Sequence, residues 1–104
     1  MRNILIVLAL AAAATAAQAA NATAGKAAYD KSCKSCHGAD GTPNAAIAKM
    51  MKVEMRDLKS SDVQATSDDD LKKVITDGKG KMKPIASASS SAADIVAYMR
   101  TWKN

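Results

Sequence analysis

The sequence predicts a small helical domain of about four short helices. Side chains that commonly cap the first turn of a helix precede four segments of the chain. Apolar residues recur at helical spacing in the later segments, and no strand pattern surrounds the two cysteines. The 104 residues have room for one domain.

The first predicted helix runs from about Ala24 to Cys33 and begins at Asn21, which offers an N-cap. Asn21-Ala22-Thr23 also matches the N-glycosylation pattern, but a helix start favours the capping role. Gly25 and Tyr29 lie one helical turn apart on the same face. A glycine inside a helix costs about 1 kcal/mol relative to alanine, so it indicates that a second helix crosses there, unless the first turn is frayed.

The other three helices are predicted from their caps and their periodicity. The expected caps are Asn44 for Ala45–Met51, Ser67 with Asp70 for Asp68–Asp77, and Ser91 with Asp94 for the last helix. Gly78 is expected to end the third helix. Tyr98 and Trp102 are interpreted as core residues of the last helix, packed across the first. The stretches 59–62 and 85–90 are expected to be connections.

Residues 1–19 are predicted to be a signal peptide that is cleaved off. Arg2 supplies the positive charge, Ile4–Ala14 is the apolar region, and Ala17-Gln18-Ala19 matches the small-x-small cleavage pattern. An uncleaved membrane anchor is the alternative, but the apolar run is short for a membrane span. Cleavage leaves residues 20–104 as a single domain of 85 residues, and the loss of Arg2 lowers the net charge from +5 to +4.

The mature domain has few bulky side chains from which to build a core, with no Phe, one Trp and two Tyr. Domains this small usually need a disulfide, a metal or a cofactor to be stable. The mildly basic charge suggests acidic partners or anionic surfaces. Nucleic acid is not expected, because no basic stripe is interleaved with aromatic residues and no nucleic-acid motif is present.

The most specific motif is Cys33-Lys34-Ser35-Cys36-His37, the pattern for covalent attachment of haem c. Two residues between the cysteines bring both sulfurs to one side of the porphyrin, and the histidine that follows can reach the iron. His37 is the only histidine in the chain. The alternatives are a thiol–disulfide redox pair, half of a zinc site, or a structural disulfide. The zinc site would need two further Cys or His ligands, which the chain lacks.

A second informative stretch runs from Gly78 to Pro84 and carries one methionine, Met82, in a basic, glycine-rich loop. In a haem protein this methionine is the natural distal ligand, and Pro84 restricts Lys83 and stiffens the loop. An exposed or gap-filling methionine is the alternative. An apolar cluster earlier in the chain is expected to pack against a haem edge, or to supply a ligand instead; its members are Ile47, Met50, Met51 and Met55.

With both stretches in place, the sequence from about Asn21 to Lys103 resembles the class I c-type cytochromes, in particular the small bacterial c6-like and c551-like members. The resemblance implies an all-α cytochrome c fold around a covalently bound haem. The N- and C-terminal helices would then cross near Gly25 and Tyr98.

The same resemblance implies thioether bonds to haem c from Cys33 and Cys36, with His37 as the proximal and Met82 as the distal ligand of the iron. One departure is that family members usually place proline directly after the ligand methionine, whereas Lys83 intervenes here. In the family a proline carbonyl often accepts the other N–H of the proximal histidine, and Pro43 is the candidate for that role.

These features predict a soluble periplasmic electron carrier that cycles haem iron between two oxidation states and is not an enzyme. Two protein ligands leave no open coordination position, which favours electron transfer over chemistry on a substrate. One alternative is a haem-based sensor from which Met82 dissociates. Another is a haem-free thiol redox protein that uses Cys33 and Cys36.

The expected partners are redox proteins with acidic docking surfaces, and no nucleic acid. Lys79, Lys81 and Lys83 flank Met82 and could steer such partners, although the same lysines also suit a loop that is simply solvated. After signal cleavage the protein is expected to be a monomer and not an integral membrane protein.

Overall fold

The computed structural model describes residues 20–102, which form six α-helices and one 3₁₀ helix. In chain order these are α1 Ala22–Ser32, α2 Lys34–His37, α3 Ala45–Met51, α4 Ser61–Ala65, α5 Asp68–Asp77, the 3₁₀ helix Ala86–Ser91 and α6 Ala92–Arg100. No strand forms within the described residues, so the all-α fold is confirmed. The predicted signal peptide, residues 1–19, lies outside them.

The first and last helices cross in close contact, as the mid-helix glycine predicted. An ideal Cβ on Gly25 would lie 1.9 Å from the carbonyl oxygen of Asp94, so only a residue without a side chain fits. The backbone N–H of Asn21 donates to Asp94 Oδ1 at 2.8 Å. Gly25 therefore lies against Asp94, one helical turn before Tyr98, and the crossing extends from there along both helices.

Three aromatic side chains fill the other end of this crossing. Tyr29 of α1 is fully buried, and its ring meets those of Tyr98 and Trp102 edge to face at centroid distances of 5.4 and 5.3 Å. Tyr98 and Trp102 are 5.0 Å apart in the same arrangement. Edge-to-face pairs add about 0.5–1.5 kcal/mol to the burial of their surface. All three aromatic residues of the chain thus lie in one cluster.

Three of the four predicted helix caps are present. Asn21 Oδ1 accepts N–H bonds from Thr23 and Ala24, so α1 begins at Ala22, slightly before its predicted start. The side chains of Asn44 and Ser67 cap α3 and α5 in the same way. Each cap satisfies amide groups that a helix start leaves without partners.

The predicted capping box of the last helix is wrong. Ser91 makes no side-chain cap bond, and the Asp94 carboxylate accepts the Asn21 N–H instead. The 3₁₀ helix 86–91 runs directly into α6, and the Ala92 N–H already donates to the Ser89 carbonyl. Preceding carbonyls therefore take over the role of the cap, and the stretch expected to be a linker is helical.

The predicted connection 59–62 runs into the short helix α4, which the sequence did not indicate and which packs into the core through Val63. Arg100 of α6 holds the chain that leaves this helix. Its guanidinium donates to the carbonyl oxygens of Gln64 at 2.8 Å and Thr66 at 2.6 Å, and to Asp68 Oδ1 at 2.7 Å. The start of α5 is thereby fixed against the C-terminal helix. No helix among residues 20–102 is long and apolar enough to cross a membrane.

Candidate haem-binding site

The cysteine motif occupies the junction between α1 and α2. Cys33 is the cap residue between the two helices, and its carbonyl accepts the His37 N–H at 2.9 Å, which closes one helical turn over the motif. Cys33 is buried with 8% of its surface exposed, whereas Cys36 and His37 are half-buried. The motif therefore has the helical turn that the spacing of its cysteines requires.

The loop after the motif folds back onto it. Gly38 has φ 73°, and a Cβ there would lie 2.2 Å from the Thr42 carbonyl oxygen, so the turn requires glycine. The Tyr29 hydroxyl donates to the Gly38 carbonyl at 2.8 Å. Burial and, second, the neighbouring Cys33 raise the pKa of Tyr29, which keeps this hydroxyl protonated. Tyr29 shares a helix face with Gly25 in the sequence, but no local pattern signals the bond of its hydroxyl to the loop.

Asn44 has a second function besides capping α3. Its backbone N–H donates to the Cys36 carbonyl at 2.9 Å, and its Nδ2 donates to the Ser35 carbonyl at 3.3 Å. The side-chain oxygen of the same residue caps the helix. One asparagine therefore joins the start of α3 to the motif, and the sequence indicated only the cap.

A charged contact closes the far side of this loop. Asp40 accepts the Thr42 N–H at 3.1 Å and forms an ion pair with Lys59, also at 3.1 Å. The Thr42 bonds and then the Lys59 ammonium lower the pKa of Asp40 to about 2. The Leu58 N–H donates to the Gly41 carbonyl at 3.0 Å, which brings Leu58 to the cavity described below.

The Met82 loop is a tight hairpin that leaves the C-terminus of α5. Lys79 and Met82 exchange backbone hydrogen bonds of 2.9 and 3.0 Å around the turn at Gly80, which has φ 58°. Gly78 has φ 79°, and a Cβ there would lie 2.6 Å from the Met82 carbonyl oxygen. The Ile85 N–H then bonds to the Ile75 carbonyl at 2.9 Å and ties the loop back to α5. Met82 is held in place by backbone geometry.

The two stretches meet at one apolar cavity of about 80 Å³. Cys33, His37 and Met82 all line it, and the rest of its wall comes from Tyr29, Leu58, Leu71, Val74, Ile75, Ile95 and Met99. His37 Nδ1 is buried and has no hydrogen-bond partner among residues 20–102. Burial lowers the pKa of His37, so the neutral ring predominates at pH 7. A neutral imidazole and a thioether facing one cavity fit the axial ligand set of a haem iron.

Other predicted site residues are placed differently. Cys36 is not among the residues that line the cavity. The Pro43 carbonyl does not accept the His37 Nδ1–H, which lacks any partner. Met50 is 71% exposed and does not pack among the buried residues of the protein itself, and its packing against a haem edge stays a prediction. Met51 and Met55 are half-buried, and neither lines the cavity, which favours Met82 over them as a ligand.

The comparisons with known proteins identify the family. Residues 20–99 match the family described as cytochrome c oxidase, cbb3-type, subunit III. The chain belongs to this family of c-type cytochromes. The solved structure of the KustC0563 c-type cytochrome has a similar fold, with a TM-score of 0.64 and 27% sequence identity over 77% of this chain and 98% of that one. None of the curated proteins matches this chain.

This small cytochrome therefore carries covalently bound haem c and belongs to a class that transfers electrons between redox partners. Covalent haem removes the support for the haem-free thiol redox protein, since haem c attachment uses both cysteines. No group of three or more His, Cys, Asp or Glu residues that could hold a metal ion occurs in residues 20–102. Burial and the nearby Cys36 raise the pKa of the Cys33 thiol to about 11, the opposite of what a thiol redox nucleophile needs.

Proposed function

We propose that this cytochrome is a periplasmic electron carrier in which Cys33 and Cys36 attach the haem and His37 and Met82 ligate its iron. The observation that carries the proposal is the convergence of Cys33, His37 and Met82 on one apolar cavity, although Met82 comes from a distant segment. The unpartnered Nδ1 of His37 and the backbone-locked hairpin around Met82 support it.

Some residues of the chain would hold the cofactor, and others would exclude water from it. When bound, the haem supplies the one-electron redox couple. His37 and Met82 would both ligate the iron, so no coordination position would stay open for a substrate, and the thioether would raise the reduction potential. The apolar side chains of α5 and α6 keep water from the cavity, while the hairpin holds the sulfur in register.

The ligation is tested by spectra of protein matured in an export-competent host. We expect reduced bands that resist acid–acetone extraction, together with the weak long-wavelength ferric band of a Met–iron bond. Met82→Ala should keep the covalent haem and lose that band. Met50→Ala is the matched control, because this methionine is 71% exposed and should leave the band unchanged. Retention of the band in Met82→Ala, or its absence from the wild type, would refute the ligand set.

The carrier role is tested by the reactivity of the reduced protein. With both axial positions taken by side chains, CO should not bind at neutral pH. Binding of CO by the wild-type protein would instead indicate a sensor from which Met82 dissociates. Loss of residues 1–19 on export, read by mass spectrometry of periplasmic protein, tests the location.

We also propose that acidic redox partners dock on the basic surface beside Met82. Lys79 and Lys83 are exposed there, and neither side chain makes a hydrogen bond or ion pair within residues 20–102. Replacing both with glutamine should slow reduction by an acidic partner at low salt, with the difference fading as salt rises. The double variant Lys26→Gln/Lys31→Gln on α1 changes the net charge equally. Equal slowing in both double variants would rule out a local docking surface.

A further inference from the structure

Helix α3 buries little surface against the rest of the described protein. Its sequence is rich in apolar residues, yet none of its seven residues is buried. Ile47 and Met51 are half-buried, and Met50 points 71% of its surface to solvent. Polar contacts at the two ends of the helix also tie it to the rest of the protein.

Those contacts join α3 to both sides of the cavity. At its start, Asn44 bonds to the carbonyls of Cys36 and Ser35 in the attachment motif. At its end, the Lys81 ammonium donates to the Met51 carbonyl oxygen at 2.7 Å, across 30 positions of sequence. Helix α3 therefore connects the attachment motif to the Met82 hairpin through hydrogen bonds at its two ends.

The acceptor at the end of α3 suits a cation. The chain reverses at Lys52, which has φ 54°, and the N–H groups of Lys52 and Val53 bond to the carbonyls of Ala48 and Lys49. These bonds leave the Met51 carbonyl for Lys81. A helix C-terminus carries partial negative charge, so a charge-assisted bond from an ammonium is favourable there.

The donor is placed where it acts on the proposed ligand. Lys81 directly precedes Met82 and lies in the turn of the hairpin that Lys79 and Met82 close. We propose that Lys81 is a positioning residue that clamps the Met82 hairpin onto α3 and so keeps the sulfur at the cavity. This inference rests on the proposed ligation by Met82. It separates Lys81 from Lys79 and Lys83, which the sequence grouped with it as docking charges.

The test measures how easily an added ligand displaces Met82. Imidazole is titrated into the ferric holoprotein, and the loss of the long-wavelength Met–iron band gives a midpoint concentration. Loss of one charge-assisted hydrogen bond in Lys81→Met should lower that midpoint by about 3- to 10-fold. Lys81→Arg keeps a cationic donor and should stay within about 2-fold of the wild type. Urea unfolding of the holoprotein should lose only the same amount, about 0.6–1.4 kcal/mol, because the core contacts are kept.

Lys79→Met and Lys83→Met are the matched controls, since each removes one charge from the same hairpin. Both should leave the imidazole midpoint within about 2-fold of the wild type, because neither side chain has a bond to lose. An unchanged midpoint in Lys81→Met, or an equal fall in all three variants, would overturn the clamp alone. A wild-type protein without the Met–iron band would overturn the ligation itself, and the clamp with it.

Discussion

The close approach of α1 and α6 predicts that Gly25→Ala destabilises the protein, although alanine is the better helix former. An alanine Cβ would lie 1.9 Å from the Asp94 carbonyl oxygen and 2.4 Å from its carbonyl carbon. Both obstructing atoms belong to backbone, so no side-chain rotation can relieve the overlap. The helices would have to separate by about 1.5 Å to restore an ordinary contact.

Two opposing terms set the size of the effect. Helix propensity favours alanine by about 1 kcal/mol. Overpacking between two backbones costs about 1–3 kcal/mol or more, and a gap of about 1 Å forfeits up to half of each dispersion contact that opens beside it. Tyr29 and Ile95, which are 0% and 1% exposed, would lose such contacts. Because both obstructing atoms are backbone, the overpacking cost should be at least about 3 kcal/mol, which leaves a net loss of at least about 2 kcal/mol, or about 8–16 °C in Tm for a domain of this size.

The assay is urea unfolding of the holoprotein, with the m-value checked for two-state behaviour. Ala27→Gly on the exposed face of the same helix is the control, since it changes propensity without touching α6. It should lower stability by only about 1 kcal/mol. If Gly25→Ala proves as stable as the wild type or more so, propensity outweighs packing and the close crossing is wrong.

Three further predictions concern contacts around the site. Tyr29→Phe removes the 2.8 Å hydrogen bond to the Gly38 carbonyl and should lower the free energy of unfolding in urea by about 1–3 kcal/mol, because this carbonyl loses its donor. An unchanged free energy would mean that the bond contributes nothing to stability. Asp40 has its pKa lowered to about 2 by the Thr42 bonds and Lys59, so its charge stabilises the fold above about pH 4 and this contribution is lost as the pH falls toward 2. Asp40→Asn should thus be less stable than the wild type at pH 7 and match it near pH 2, and a difference independent of pH would contradict this. Arg100→Lys should lower the free energy of unfolding by about 1–2 kcal/mol, because one ammonium cannot reach two carbonyl oxygens and a carboxylate at once. An unchanged urea midpoint would show that the branched guanidinium is not needed there.

The sequence by itself determined the features that depend on neighbours along the chain. Two cysteines and a histidine at fixed spacing specify covalent haem attachment, because the chemistry needs only one helical turn. Three helix starts were predicted from their capping residues, Asn21, Asn44 and Ser67, since a cap accepts from amides two or three residues ahead. The all-α class followed from such local signals and from the resemblance that they carried.

The close crossing at Gly25 could also be predicted from the sequence, since a glycine within a helix lowers helix stability unless close packing compensates for it. The register of the two helices at this crossing could not be predicted in the same way. Which residue of α6 meets the glycine depends on how the two helices rotate against each other, and that is set by the whole core. The α6 helix begins after Ser91, but its predicted capping box is wrong because the preceding 3₁₀ helix supplies the carbonyl acceptors instead.

Only the tertiary structure decided that Met82 and His37 line the same cavity, and that Lys81 is bound to a backbone carbonyl while Lys79 and Lys83 are exposed. The Met51 carbonyl that holds Lys81 lies 30 positions away, and no local pattern marks a backbone oxygen as an acceptor. Asp94 likewise has the residue type of a capping-box carboxylate, yet it binds the start of α1. Such contacts depend on distances between segments, which chain order does not encode locally and which arise only when the helices pack.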